Sequence, residues 1–227
     1  MISSPAFASW LYGSHARGDA DNLSDIDVLV ISDSLDDNIN IDVISPIFRM
    51  ASVTRYTWIE LAGMVESGSL FLRHLQMEGR PLVESPRVKG RLSSALAQLG
   101  SYRFANRDVH GFTQVLRDIK DSLSYGGSLV FELATLGTVV RHASILGCAI
   151  AGQHCFSRIE PVRRISGLWA TTGKWDRDFE FLYQFRLYAD GRLSEPPPAS
   201  GALASNWCYR AEELVDQLQR RVRCESH

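Results

Sequence analysis

Short runs of apolar residues, separated by polar turns, mark the first fifty positions of the chain. Three runs are short enough for strands, at residues 7–12, 26–31 and 39–44, and the last two are rich in β-branched residues. The connection between the second and third runs is rich in Ser, Asp and Asn, which favour turns, and it is too short for a crossover helix. The pattern therefore predicts that these two strands form an antiparallel hairpin.

From position 57 onward the apolar residues recur at intervals of three and four, the spacing of an amphipathic helix. Two helices are predicted first, at 57–66 and 69–78, followed by a short edge strand at 80–84. Further helices are expected over residues 86–99, 102–123, 128–151, 157–168, 176–188 and 202–223. The fold class is α+β: a small mixed or antiparallel sheet with flanking helices, followed by an all-α helical bundle. Because Ser85-Pro86 is a natural joint, we expect domains at 1–84 and 85–227.

The most apolar stretch of the chain covers residues 128–152. It contains Glu132, Arg141 and His142, which are too many ionisable groups for a routine membrane span. We interpret the stretch as a buried helix of the bundle and expect no membrane association.

Composition narrows the class of protein further. The chain has 227 residues, 45% of them hydrophobic, which is enough for a sizeable core. Its net charge is −2 and it has no long Lys/Arg run, so no extended nucleic-acid surface is expected. The four cysteines lack metal-type spacing and no signal peptide is visible, which favours reduced thiols and a cytoplasmic location. A homo-oligomer is compatible with the sequence.

Candidate chemistry lies at the start of the second predicted strand. Asp25 and Asp27 are two residues apart, so in a strand both point to one face while Ile26 points to the other. Two such anions repel one another unless a cation neutralises them. Oxygen-only ligands suit Mg²⁺, which completes its shell with water and substrate phosphates. The pair therefore predicts half of a magnesium site, with a nucleotide supplying the rest.

A third carboxylate, Asp42, stands at the centre of the next predicted strand. Three carboxylates on one sheet face can hold two metal ions roughly 4 Å apart, a geometry that activates an attacking oxygen and stabilises a leaving pyrophosphate. Transfer of this kind needs positioning and charge neutralisation more than a covalent nucleophile.

These residues resemble the minimal nucleotidyltransferases of the DNA polymerase β superfamily. That family carries a Gly-Ser-x-Ala-Arg-Gly turn, a Ser-Asp-x-Asp strand and a later single Asp, which here correspond to residues 13–18, residues 24–27 and Asp42. The resemblance implies that Gly13 and Ser14 hold the terminal phosphates of a nucleotide. It covers about the first third of the chain.

The resemblance also implies roles for the charged residues of the motif. Asp25 and Asp27 would bind both metal ions, and Asp42 the ion that activates the acceptor hydroxyl. Arg17 matches the family arginine, and two roles stay open for it: a contact with phosphate, or support of the glycine turn.

The function that this resemblance implies is Mg²⁺-dependent transfer of a nucleoside monophosphate from an NTP to a hydroxyl, with release of pyrophosphate. Two ions are expected, Mn²⁺ is an acceptable substitute, and ATP is the expected donor. The acceptor stays open between a small molecule, a protein and an RNA. A non-catalytic nucleotide-binding or regulatory module is the alternative from another class.

Two further hypotheses concern the helical half. In antibiotic nucleotidyltransferases of this superfamily an acidic residue of the helical domain serves the acceptor, and Glu132 is a candidate for that base; a structural ion pair with Arg141 is the alternative. An arginine followed by a histidine, here Arg103 and His110, loosely resembles the signature of HEPN ribonuclease and toxin bundles.

Overall fold

The computed structural model describes residues 6–35, 51–169 and 175–225. The chain divides into two compact units, one ending at Arg103 and the other beginning at Phe104. The first unit holds a sheet with helices, and the second is helical throughout its regular elements. The predicted α+β class, a small mixed sheet followed by helices, is confirmed.

The sheet of the first unit has four strands among the described residues. They are β1 (Ala8–Tyr12), β2 (Asp27–Ser32), β3 (Ser52–Thr57) and β4 (Arg80–Glu84), in the order β3-β2-β1-β4. Strand β1 runs antiparallel to both β2 and β4, whereas β2 and β3 are parallel. The sheet is therefore mixed.

The strand that pairs with the second edge of β2 is β3, which differs from the predicted hairpin. The hairpin hypothesis put residues 39–44 beside β2, but β1 and β3 occupy the two edges of β2. Val53, Thr54 and Tyr56 are good strand formers, and residues 33–51 are long enough for the crossover that a parallel pair requires. Residues 39–44 themselves lie outside the described part of the chain.

Four described helices and one 3₁₀ turn accompany the sheet. The helices are α1 (Gly13–Arg17), α2 (Trp58–Glu66), α3 (Leu70–Glu78) and α4 (Arg91–Ala97), and the 3₁₀ turn is Pro86–Val88. Thr57 begins α2 with a capping box, in which its hydroxyl accepts from the Glu60 amide and its own amide donates to the Glu60 carboxylate. The predicted helices at 57–66 and 69–78 are confirmed to within one residue.

The two faces of the sheet bury different residues. On one face Trp10, Tyr12, Leu29 and Ile31 pack with apolar residues of α2, α3 and α4. On the other face Val28 and Val30 form a smaller cluster, against which these partly buried residues pack: Phe7, Leu11, Ile26, Ala51, Val53 and Leu82. Because side chains alternate along a strand, Asp27 shares the helix-covered face with Leu29 and Ile31.

The division between the units falls later than the predicted joint at residues 85 and 86. Leu92 and Leu96 of α4, with Leu99 beyond it, are buried in the same core as Trp10 and Leu29. Residues 85–103 therefore belong to the first unit, whereas the sequence predicts them to be part of the bundle.

The second unit contains five described helices. They are α5 (Ala105–Ser124), α6 (Leu129–Ile150), α7 (Glu160–Leu168), α8 (Trp175–Ala189) and α9 (Gly201–Glu225). Helix α6 contacts the other four, which explains why it is the most apolar of them. The rings of Trp175, Phe179 and Trp207 pack edge to face where α8 meets α9.

Helix α6 is also long and apolar enough to cross a membrane by length and composition alone. In the described part of the chain 67% of its most apolar stretch is buried against protein. This burial is what a core helix of a bundle shows, and it agrees with the interpretation from the sequence.

The cysteines of the described chain are all free thiols. Cys148, Cys155 and Cys208 are buried and Cys224 is exposed. Burial raises the pKa of Cys148 to about 12 and that of Cys208 above its ordinary value. Cys148 and Cys208 are therefore poor nucleophiles.

We predict that an aromatic disulfide reagent modifies one thiol quickly in the native protein and four after denaturation, because only Cys224 is accessible. Absorbance of the released thiolate measures both numbers. Cys224→Ser should remove the fast phase, and a second fast thiol in the native protein would contradict the packing around α6.

Candidate active site

A glycine turn joins β1 to α1. Tyr12 ends the strand in an extended conformation, and Gly13 then turns the chain with a φ of +73°. Helix α1 ends at Gly18, whose amide donates to the Ser14 carbonyl over 2.9 Å, and the Asp19 amide donates to the same oxygen over 3.1 Å. Ser14 is half-buried. The motif that the sequence singled out therefore forms a compact loop directly after a buried strand.

Gly13 lies against the carboxylate of Asp27. A Cβ built on Gly13 would lie 2.5 Å from Oδ2 of Asp27, closer than real Cβ contacts come. The register of the sheet explains the approach, because Tyr12 of β1 pairs with Asp27 of β2. The structure thus brings together the glycine turn and one predicted metal ligand, and a side chain at position 13 would require the Asp27 carboxylate to shift.

Asp25 lies just before β2, and its charge affects the pKa of Tyr12. Burial is the main reason that the pKa of Tyr12 is raised, and the negative charges of Asp27 and Asp25 raise it further, against a hydrogen bond with Thr54 that lowers it. That bond joins the two hydroxyl oxygens over 3.0 Å. The Asp27 carboxylate therefore lies beside the glycine turn, and the charge of Asp25 also acts on Tyr12 at the end of β1.

Arg17 contacts protein carboxylates on two sides. Its Nη1 donates to Oε2 of Glu78 over 2.6 Å, and its Nε donates to Asp19 over 3.1 Å. Of the two roles left open by the sequence, these contacts favour support of the turn. A contact between Arg17 and phosphate stays a prediction.

Asp42, the third predicted ligand, lies outside the described residues. Within residues 6–35, 51–169 and 175–225 no group of three or more His, Cys, Asp or Glu side chains forms a metal site. Of the predicted carboxylates, Asp27 lies against the turn, and the two-metal arrangement with Asp25 and Asp42 stays a prediction.

Glu132, the proposed acceptor base, lies near the start of α6 in the second unit. Its side chain is buried, with 5% exposed, and its Oε1 accepts a hydrogen bond from the Ser122 hydroxyl over 2.5 Å. Arg141, considered as its partner, donates to the carbonyl of Phe156 over 2.6 Å. The buried carboxylate is thus paired with Ser122, and the base role stays a prediction.

The residues of the HEPN hypothesis fall on different units. Arg103 ends the first unit, where its amide donates to the Ser67 carbonyl, while His110 is an exposed residue of α5 in the second. They do not share a helix.

Sequence reasoning missed several residues around the turn. Tyr12, Thr54, His74 and Glu78 all contact it or its flanks. Only Tyr12 carried a local signal, because it directly precedes the glycine. His74 and Glu78 are spaced as an ordinary surface pair on a helix, and Thr54 lies in the strand that the sequence analysis did not predict.

Comparison with known families agrees with this geometry. Residues 5–59 match the family model described as a nucleotidyltransferase domain. No curated protein matches the chain. The match is confined to the N-terminal part of the chain, and it supports the resemblance of that part to the polymerase β-like nucleotidyltransferases. The family supports a transferase that moves a nucleoside monophosphate from an NTP.

We predict that Gly13→Ala impairs the site more than Gly18→Ala does. Both glycines have positive φ, which costs another residue about 1–2 kcal/mol. The added methyl would also collide with Asp27 at Gly13, whereas no atom of the described residues lies within 4 Å of the Cβ position at Gly18. Chemical unfolding measures the stability of each variant. Equal destabilisation would contradict the close approach of Gly13 to Asp27.

A second prediction concerns Glu132. Glu132→Gln should unfold near the wild-type temperature, because the amide oxygen can still accept from Ser122. Glu132→Leu leaves that hydroxyl unpaired and should lower the free energy of unfolding by about 1–3 kcal/mol. Thermal unfolding followed by circular dichroism compares the two. If the variants unfold alike, the Ser122 bond is not what holds the buried carboxylate.

Proposed function

We propose that this protein transfers a nucleoside monophosphate from an NTP, with ATP as the expected donor, to a hydroxyl group in a Mg²⁺-dependent reaction that releases pyrophosphate. The observation that carries the proposal is the contact between Gly13 and the Asp27 carboxylate. It joins a turn suited to phosphate with an acid suited to a metal ion, and the family match covers both.

The donor set around the turn fits a hard divalent cation. Asp25 and Asp27 offer carboxylate oxygens only, and Gly13 places no side chain against the Asp27 carboxylate. Asp25 and Asp27, with Asp42 as the third acid, are the residues proposed to hold two Mg²⁺ ions, and Mn²⁺ is an acceptable substitute. When bound, the ions neutralise phosphate charge and favour ionisation of the acceptor hydroxyl.

The residues of the turn have their own part in the proposal. The resemblance assigns the backbone amides of Gly13 and Ser14 to the terminal phosphates of the donor. Ser14 adds a hydroxyl at the same place. Gly13 allows a phosphate chain to approach the backbone, because no side chain stands in the way. Together these groups would orient the donor relative to Asp25 and Asp27, which is the main requirement of phosphoryl-type transfer.

The acceptor is proposed only as a class. A hydroxyl on a small molecule, a protein or an RNA satisfies the chemistry, and Glu132 of the second unit is the candidate for its base. The reaction is proposed to take place in the cytoplasm, where ATP, Mg²⁺ and reduced thiols coexist.

We predict that Asp25→Asn and Asp27→Asn each lower transfer by at least about a hundredfold while the fold survives, because the amide keeps the size of the side chain and loses its charge. Transfer is measured as pyrophosphate released from labelled ATP in the presence of Mg²⁺ over a panel of acceptors. Asp33→Asn is the matched control, since Asp33 is an exposed acid just beyond the same strand.

Activity retained in both site variants would refute the catalytic pair. Mg²⁺-dependent binding of ATP by the wild-type protein, without pyrophosphate release over the whole panel, would leave a nucleotide-binding or regulatory module as the function.

A further inference from the structure

One carboxylate oxygen on α3 receives two hydrogen bonds. Oε2 of Glu78 accepts from Nη1 of Arg17 over 2.6 Å and lies 2.8 Å from Nε2 of His74. The side chains of Glu78 and His74 are each 14% exposed, and that of Arg17 is 21% exposed. The group is therefore largely withdrawn from solvent, where charge-assisted hydrogen bonds are stronger than at an open surface.

Glu78 is ionised in this setting. Burial, the largest single effect, raises the pKa of its carboxyl, but the hydrogen bonds from His74 and Arg17 together hold it below its ordinary value. The side chain is thus an anion held between two donors, which suits a fixed anchor.

Both ends of the glycine turn contact α3. Before the turn, the ring of Tyr12 meets the ring of His74 edge on, with centroids 5.7 Å apart. At the other end of the turn, Arg17, the last residue of α1, binds Glu78. Helix α3 is itself fixed to the sheet, because its Leu72 and Leu75 are fully buried in the core.

We infer that Glu78 is a positioning residue: by holding Arg17, together with His74, it fixes the glycine turn against Asp27. The inference rests on the proposed function, since the turn matters only if it binds a nucleotide. It assigns Arg17 to the support of the turn, because Nε and Nη1 are directed to Asp19 and Glu78. Neither His74 nor Glu78 belongs to the motif that marked the site in the sequence.

The chain offers a matched control for this carboxylate. Helices α2 and α3 each have nine residues and each end in a glutamate, Glu66 and Glu78. Glu66 is exposed, whereas Glu78 contacts the turn. Glu66→Gln and Glu78→Gln therefore remove the same charge from the same position of two helices in one unit.

The experiment uses Glu78→Gln, Arg17→Gln, the double variant and the Glu66→Gln control in the full chain. Two quantities are measured: the dissociation constant of a non-hydrolysable ATP analogue with Mg²⁺, and hydrogen exchange of the Gly18 and Asp19 amides. Those amides both donate to the Ser14 carbonyl, so their exchange reports the integrity of the turn without any nucleotide.

Each single variant at the turn should bind the analogue about tenfold more weakly and exchange these amides about tenfold faster than Glu66→Gln does, because a charge-assisted bond is lost. The double variant should lose less than the product of the two single losses, since the contact between Arg17 and Glu78 is shared. Losses that multiply in full would mean that the two residues act independently and would overturn the inference. So would a Glu78→Gln variant that behaves like the control.

The exchange measurement keeps the two proposals apart. If the wild-type protein does not bind the analogue, the proposed function fails. Faster exchange in Glu78→Gln would then still show that α3 holds the turn. Unchanged exchange would overturn the inference. Should Glu78→Gln not fold, Glu78→Asp replaces it, because that variant keeps the charge and shortens the side chain by one methylene. Glu78→Asp should then show the same weaker binding and faster exchange, and wild-type values in both would overturn the inference.

Discussion

The close approach of the Gly13 backbone to the Asp27 carboxylate constrains the rest of the first unit. It requires that β1 and β2 pair in the register that sets Tyr12 opposite Asp27. It also requires that the turn bend back at once, which Gly13 achieves at positive φ. The buried residues Leu29 and Ile31 continue from Asp27 along the same face, so the hydrophobic core and the candidate site share one strand. Stability and function are therefore coupled at β2, because a change in its register would disturb both.

Much of this arrangement could be predicted from local sequence signals. The glycine turn, the carboxylates at Asp25 and Asp27 and the helical period after residue 57 all lie within short windows, where periodicity and turn chemistry are informative. Strand β3 escaped prediction because its burial is only partial, so its residues show no strong apolar alternation. The link from Arg17 to Glu78 escaped because it joins residues far apart in the chain, and no local pattern reports such a contact. Asp42 was predicted from its strand-like surroundings and lies outside the described residues.

The second unit illustrates a different limit of sequence reasoning. Its helices were predicted well, since each has a clear apolar face, and α6 was correctly interpreted as a core helix. The roles of its polar residues were harder to foresee. Glu132 was singled out because an acid stands in an apolar run, and the structure gives it the hydroxyl of Ser122 as a partner. A buried acid marks a place where the chain has satisfied a polar group, and burial alone does not separate structural support from catalysis.

The absence of a side chain at Gly13 also bears on how the sheet finds its alignment during folding. A slip of one residue between β1 and β2 would bring Tyr12 or Ser14 to the place of Gly13 and exchange the two faces of the strand. The side chain of either neighbour would then collide with the Asp27 carboxylate. The apolar residues of β2 would also point away from the hydrophobic core. Misaligned pairings are thus destabilised in two ways. The absence of a side chain at Gly13 therefore also favours the correct register of the sheet.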